Sequence, residues 1–247
     1  MKILTLLLMG SLAGTISCAT SGASSESSPP AWRQLFDGSS TQGWRGFKAA
    51  GFPEKGWSVA EGTLKAEKGS DSDIVSDQQY ADFELVLEFR LSEGGNSGIK
   101  YLVDESLVKQ GRHGLGFEYQ IIDDQGHPDA AQGKPGTRTC GALYDLISPS
   151  ADKQVHQPGQ WNEVRLVVDG PRIEHWLNGK KLLEFRRASP ELQALIADSK
   201  YKTNPAFGQP ARGHILLQAH GDEVAFRNIR VRELRPSDPA RLATTFN

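Results

Sequence analysis

The sequence predicts an all-β protein, an antiparallel β-sandwich or jelly roll with one short helix near residues 190–200. Three observations carry this prediction. Apolar and polar residues alternate with the period of two that half-buried strands require. The alternating runs are short and are separated by tight-turn signals such as Asn178-Gly179. Glycine is abundant, 26 of 247 residues, while charged residues stand at an ordinary 23%. Glycine excess without charge excess points to many turns rather than to a chain that cannot fold.

The elements follow in chain order. Lys2 precedes an apolar run, Ile3 to Met9, that continues through Leu12 and Ala13. The run is too short to span a bilayer as a helix. With small residues at Gly14, Thr15 and Ser17 it reads as a signal peptide, residues 1–17. Leu12 to Cys18 resembles a bacterial lipoprotein box, although Thr15 stands where such boxes usually carry leucine. The expectation is lipid attachment at Cys18 and a place in the bacterial cell envelope, in the periplasm or on the outer membrane. The membrane would then be reached only through that anchor. The alternative is an ordinary secreted protein in which Cys18 is removed or incidental. Residues 18–31, rich in Ser, Ala, Gly and Pro, cannot bury a core and read as a flexible tether.

The folded domain is expected over residues 32–235. Phe83 to Leu91 puts Phe83, Leu85, Leu87, Phe89 and Leu91 on one strand face. Asn96 to Tyr101 and Gly116 to Asp124 are further strands, and Gly141 to Asp145 follows a glycine-rich loop. Val164–Val168, Arg172–Leu177 and Lys180–Phe185 are joined by Asp169-Gly170-Pro171 and Asn178-Gly179. His214–His220 and Val224–Leu234 flank the turn Gly221-Asp222-Glu223. Ser189 suits a helix cap and Pro190 the first helical position, with Leu192, Leu195 and Ile196 on one face and an end near Tyr201. Residues 236–247 read as a frayed tail.

The formal net charge is −2 and there are two cysteines. No basic surplus exists to neutralise phosphates, which argues against a nucleic-acid partner. Two cysteines exclude a disulfide scaffold and a cysteine-rich zinc site. If Cys18 is acylated, Cys140 has no intrachain partner and reads as a small buried hydrophobe.

Polar residues on strands need a reason. Glu118 and Gln120 share one face of their strand, with Phe117, Tyr119 and Ile121 on the other. Gln218 and His220 likewise share a face, opposite Leu217 and Ala219. Asn96, Tyr144 and Asp145 add further polar positions, as candidate substrate contacts. The spacing Glu118-x-Gln120-x-x-Asp123 resembles the Glu-x-Asp-x-x-Glu strand of laminarinase-type sandwich glycosidases. In a straight strand, however, its ends lie about 16 Å apart at about 3.3 Å per residue. Retaining hydrolysis wants carboxylates about 5–5.5 Å apart and inverting hydrolysis about 6.5–9.5 Å. One carboxylate among histidines and amides suits proton abstraction beside a carbonyl, with a cation stabilising the enediolate. Glu118, His175 and His220 are the base and ligand candidates. Oxygen and nitrogen donors of this kind suit Ca, Mn or Zn, with Glu118 and His220 as ligands.

Each residue also has a structural reading. Glu118 could lie on a solvated face, His220 could cap a turn, and Gln120 with Gln218 could be a cross-strand amide pair. His175, beside Trp176, could be a surface histidine. His113, His127 and His156 fall in loops. Asp123 and Asp124 fit a turn, and Trp44 and Trp57 fit a core better than a sugar platform.

Several segments together resemble the 3-keto-disaccharide hydrolase family. They include Leu35-Phe-Asp-Gly38, Gly56-Trp-Ser-Val-Ala-Glu-Gly-Thr-Leu64, Asn96-Ser-Gly-Ile99 and Phe117-Glu-Tyr-Gln-Ile-Ile-Asp123. Gly141-Ala-Leu-Tyr-Asp145, His175-Trp-Leu-Asn-Gly179 and Gly213-His-Ile-Leu-Leu-Gln-Ala-His-Gly221 complete the pattern across about residues 33–234. The resemblance implies a concanavalin-like jelly roll and action on an oxidised oligosaccharide or glycoside. Cleavage would run through C2 proton abstraction, loss of the C1 group and hydration. It implies a divalent metal and puts Glu118, Gln120, Gln218 and His220 at recurrent family positions. The alternative is a carbohydrate-binding module on the cell envelope without catalysis.

Overall fold

A computed structural model describes Met1, residues 31–108 and residues 113–235. The expectations for the leader, Cys18, the tether and the tail fall outside these residues, apart from Met1 and Ala31 at their edges. Among the described residues no helix is long and apolar enough to cross a membrane.

Thirteen strands form two antiparallel sheets among the described residues. The larger is ordered β11 (Lys180–Arg186), β10 (Arg172–Leu177), β9 (Trp161–Asp169), β6 (Phe83–Leu91), β13 (Val224–Glu233), β4 (Thr63–Ala66), β3 (Trp57–Ala60). A short β1 (Arg33–Gln34) also pairs with β13. The smaller is ordered β2 (Trp44–Gly46), β5 (Ile74–Tyr80), β12 (Gly213–Leu217), β7 (Asn96–Val103), β8 (Phe117–Ile122). The protein is a jelly-roll β-sandwich.

The alternation in β6 holds: Phe83, Leu85, Leu87, Phe89 and Leu91 are all buried. They meet the inward residues of the smaller sheet, Ile99, Tyr101, Phe117, Tyr119 and Ile121, in one apolar core. Aromatic contacts bridge the layers, with Phe117 and Phe185 rings 5.5 Å apart. The Asn178-Gly179 turn has positive φ at both residues, 48° and 78°, as a type I′ hairpin demands. The helix is α1 (Pro190–Ala197), and the Ser189 side chain accepts from the Leu192 N–H at 3.2 Å. It stops short of Tyr201. Ser199 caps a separate 3₁₀ turn, Lys200–Thr203, so the chain turns again and presents Lys200 and Tyr201 at a new angle.

Trp44 and Trp57 are core residues whose indole N–H groups donate to the carbonyls of Leu35 and Ser72, both at 2.7 Å. Cys140 is fully buried, and burial pushes its thiol up to about 12.

The strand expected over His214–His220 ends at Leu217. Gln218 still donates to the Gly98 carbonyl at 2.9 Å. The next N–H, of Ala219, turns instead to the Asp73 carboxylate at 3.1 Å. That capture lifts the chain out of the ladder, so His220 does not share a strand face with Gln218.

Candidate active site

The antiparallel register of the smaller sheet builds the site. Leu216 lies opposite Val75 on one side and Lys100 on the other, and Lys100 opposite Glu118. The neighbouring row is Asp73, Gln218, Gly98 and Gln120, set by the pairs Leu217–Ile74 and Gly98–Gln120 and the Gln218–Gly98 bond. Residues directly opposite share a face, so both rows project from the sheet on the side away from the core.

Glu118 is nearly buried at 7% exposure, and its carboxylate lies over Gly98. A Cβ at that glycine would stand 2.7 Å from Glu118 Oε1, so only glycine leaves the seat open. Lys100 Nζ stands 3.9 Å from Glu118 Oε2 and donates to the Gly114 carbonyl at 3.2 Å. Gln120, 1% exposed, donates through its amide nitrogen to Asn96 Oδ1 at 3.3 Å, while its Oε1 has no partner among the described residues. Orphan buried acceptors are rare in proteins and need an explanation.

Residues 141–144 line the free edge of β8 and wall the site. Gly141 N and Tyr144 N donate to the carbonyls of Gln120 and Glu118 at 2.8 and 3.0 Å. This puts Tyr144 beside Glu118. Its hydroxyl donates to Asp129 at 2.7 Å, and burial together with that carboxylate raises its pKa. Lys200 Nζ sits 4.0 Å from the centre of the Tyr144 ring. Lys200 opens to solvent, yet protein crowds it enough to hold its pKa below the ordinary lysine range, against the opposing pull of Glu118 and Asp145. Tyr201 stacks on Phe207 with ring centres 3.8 Å apart.

Asp145, at φ 63°, works behind this wall. It accepts from Arg138 Nε at 2.8 Å and from the Lys200 backbone N–H at 3.3 Å, and Arg138 also reaches Asp129 at 2.7 Å. It therefore positions the wall and is committed to these donors.

The structure thus brings Glu118, Gln120, Gln218, Asn96 and Tyr144 to one face. It separates His175 from them, which corrects that residue's expected place in the chemistry. His175 lies between the two sheets at 0% exposure, with Nε2 against the Tyr101 hydroxyl at 2.9 Å and Nδ1 against the Gly141 carbonyl at 3.1 Å. Desolvation lowers its pKa to about 4, so it is a neutral core residue. His220 is exposed beside His127, ring centres 6.5 Å apart. Asp123 is a turn residue, accepting from Gly94 N at 2.9 Å and Gln125 N at 3.1 Å.

A divalent metal on Glu118 and His220 does not fit the donors present. The Lys100 ammonium stands 3.9 Å from the Glu118 carboxylate and the charge of Lys200 also acts on it, and both oppose a further cation there. Among the described residues no three His, Cys, Asp or Glu side chains gather at metal-binding distance.

Lys100, Lys200, Arg138, Asp129 and Tyr201 went unread in the sequence. Lys100 had a signal, a lysine sharing a strand face with Asn96. Lys200 had none, because it reaches Tyr144 only through the fold.

Residues 31–232 match the family model of the 3-keto-alpha-glucoside-1,2-lyase-like domain. The chain belongs to this family. A 3-keto-disaccharide hydrolase of Bacteroides thetaiotaomicron is 34% identical over 226 residues, 81% of this chain and 77% of that protein. Two crystal structures of candidate glycosyl hydrolases from Parabacteroides distasonis superpose with TM-scores of 0.74 and 0.66 at 31% and 32% identity. Each covers 83% of this chain, and the match spans 94% and 100% of theirs. The VIP36 lumenal domain shares the fold alone, with a TM-score of 0.51 at 10% identity over 85% of this chain and 91% of that one. Membership in the 3-keto-alpha-glucoside-1,2-lyase-like family makes this a carbohydrate-active protein, with a glycoside-cleaving enzyme among its relatives.

Proposed function

We propose that this protein cleaves glycosides whose sugar is already oxidised at carbon 3, by elimination followed by hydration. The observation that carries the reading is the Glu118 carboxylate seated over Gly98, with the Lys100 ammonium 3.9 Å away and the Gln120 Oε1 beside it without a partner among the described residues, while Lys200 lies over the neighbouring Tyr144 ring.

A 3-keto group acidifies the C2 proton. Glu118 removes it, and negative charge develops on the carbonyl oxygen. Lys100 and Lys200 supply positive charge where that charge grows, the electrostatic role that a metal would otherwise fill. The enediolate collapses to restore the ketone, forms the C1–C2 double bond and expels the C1 oxygen. Water then adds, hydroxyl to C1 and proton to C2. Gln120 Oε1 accepts from a sugar hydroxyl, as Gln218 does on the opposite side of Glu118. No second carboxylate at glycosidase spacing is required.

This reading is also favoured over a binding module without catalysis. Such a module needs exposed aromatic platforms, and Trp32, the exposed tryptophan among the described residues, lies on the other sheet under Arg230 and Arg232. Incubation with a 3-keto-glucoside, with and without chelator, is expected to release the aglycone under both conditions. No product under any metal condition would overturn the reading.

A further inference from the structure

One histidine–carboxylate pair stands at the edge of this site and has no part in the scheme above. His113 Nδ1 lies 3.3 Å from Asp73 Oδ2, and Asp73 is 0% exposed. Asp73 is held on every side: Oδ1 accepts from Ala219 N at 3.1 Å and Oδ2 from Gly114 N at 3.3 Å. It is the same capture that ends β12 early. The histidine ring is about half exposed, 51%, with Nε2 on the edge remote from the carboxylate. A buried, fully bonded carboxylate that orients an exposed imidazole is the arrangement by which enzymes fix a histidine tautomer for proton transfer.

The register places this pair relative to Glu118. Asp73 lies in the same row as Gln218 and Gly98, two strand spacings from Gly98, which is about 10 Å. The Glu118 carboxylate hangs over that same Gly98. Lys100 spans the gap, holding the carbonyl of Gly114 beside His113 while facing Glu118. Glu118 and His113 therefore stand over positions of one row that are two strands apart, on the same face of the sheet, one at each side of Lys100.

We propose that His113, oriented by Asp73, is the general acid that protonates the departing glycosidic oxygen. The inference rests on the elimination reading and completes its proton balance. Glu118 takes the proton from C2. The electron pair moves through the enediolate into the C1–C2 double bond, the C1–O bond breaks, and the leaving oxygen takes the proton of His113. In hydration neutral His113 takes a proton from the water attacking C1, and Glu118 returns its proton to C2. Both residues end as they began. The Asp73 carboxylate raises the His113 pKa above its ordinary value, supported more weakly by Asp71 and opposed by burial and Lys100, which favours the protonated form a general acid needs.

The test uses two substrates, a 3-keto alkyl glucoside, whose alkoxide needs a proton to leave, and a 3-keto nitrophenyl glucoside, whose phenolate does not. His113→Gln is expected to lose roughly a hundredfold in kcat on the alkyl substrate. It should lose no more than a few-fold on the nitrophenyl substrate and should keep exchange of the C2 hydrogen with D2O. In the unmodified protein, kcat on the alkyl substrate should fall as pH rises through the His113 pKa, and this limb should be absent with nitrophenol as leaving group. Equal losses on both substrates, or none, would overturn the assignment and leave the elimination reading standing. An unmodified protein that neither turns over either substrate nor exchanges C2 hydrogen would bring down the elimination reading and this assignment with it.

Discussion

Both sheets turn polar faces outward, but they complete them differently. On the larger sheet arginines close the carboxylates. Glu84, 4% exposed, is bonded by Arg165 and Arg232, and Glu88 by Arg227 at 2.8 Å. Glu174 is bonded by Arg172 and by the Trp176 indole at 2.7 Å. Among the described residues, Glu118 on the smaller sheet has an ammonium no nearer than 3.9 Å, and Gln120 Oε1 has no partner. The same period-two alternation produced both faces. Full pairing makes a polar face structural, and incomplete pairing leaves it a ligand to bind.

The largest contrast should come from removing one charge on each face. Glu118→Gln is expected to lower kcat by about 10²- to 10⁴-fold, the range for a general base. Its melting temperature should stay near that of the unmodified protein, because no strong ion pair is lost. Glu84→Gln should do the reverse, costing about 1–3 kcal/mol of stability by leaving two arginines short of a partner, with turnover retained. Urea titrations and steady-state kinetics on the two variants measure both quantities. Loss of stability without loss of activity at Glu118 would erase the distinction.

The interior offers an intermediate case. His175 is fully bonded yet cannot be charged where it lies. Its folded pKa, about 4, lies below the ordinary 6.5, so the unfolded chain binds the proton more readily. The stability due to this histidine is complete above about pH 6.5 and is lost as pH falls toward 4, by about 3 kcal/mol in all. Denaturation at several pH values should show this slope, and His175→Gln should flatten it.

The smallest effect is expected at Gln120. Gln120→Met deletes an unpaired acceptor along with one long hydrogen bond to Asn96. Stability should hold within about 1 kcal/mol, the net worth of such a bond, while KM rises three- to tenfold, roughly the value of one sugar contact. A drop in stability as large as that of Glu84→Gln would mean that Gln120 belongs with the paired groups.

Much of this was legible in the chain, for local reasons. Alternation in 83–91 and the Asn178-Gly179 pair specify strand and turn with their own neighbours, and Glu118 and Gln120 inherit a common face from the same rule. The alternation around His175 already pointed inward, since Ile173 and Leu177 share its face. His220 was misplaced because the strand before it is ended by Asp73, a carboxylate distant in sequence. Lys200 and the His113–Asp73 pair join the site through contacts between remote segments, and no local period records those.

The central claim is that the incompletely paired face, through Glu118, removes the C2 proton of a 3-keto sugar. Exchange of that hydrogen with D2O, followed by NMR on a 3-keto-glucoside, reads this step apart from bond cleavage. Rapid exchange with the unmodified protein and with Glu84→Gln, and background exchange with Glu118→Gln, is the predicted result. Exchange that survives in Glu118→Gln would contradict it.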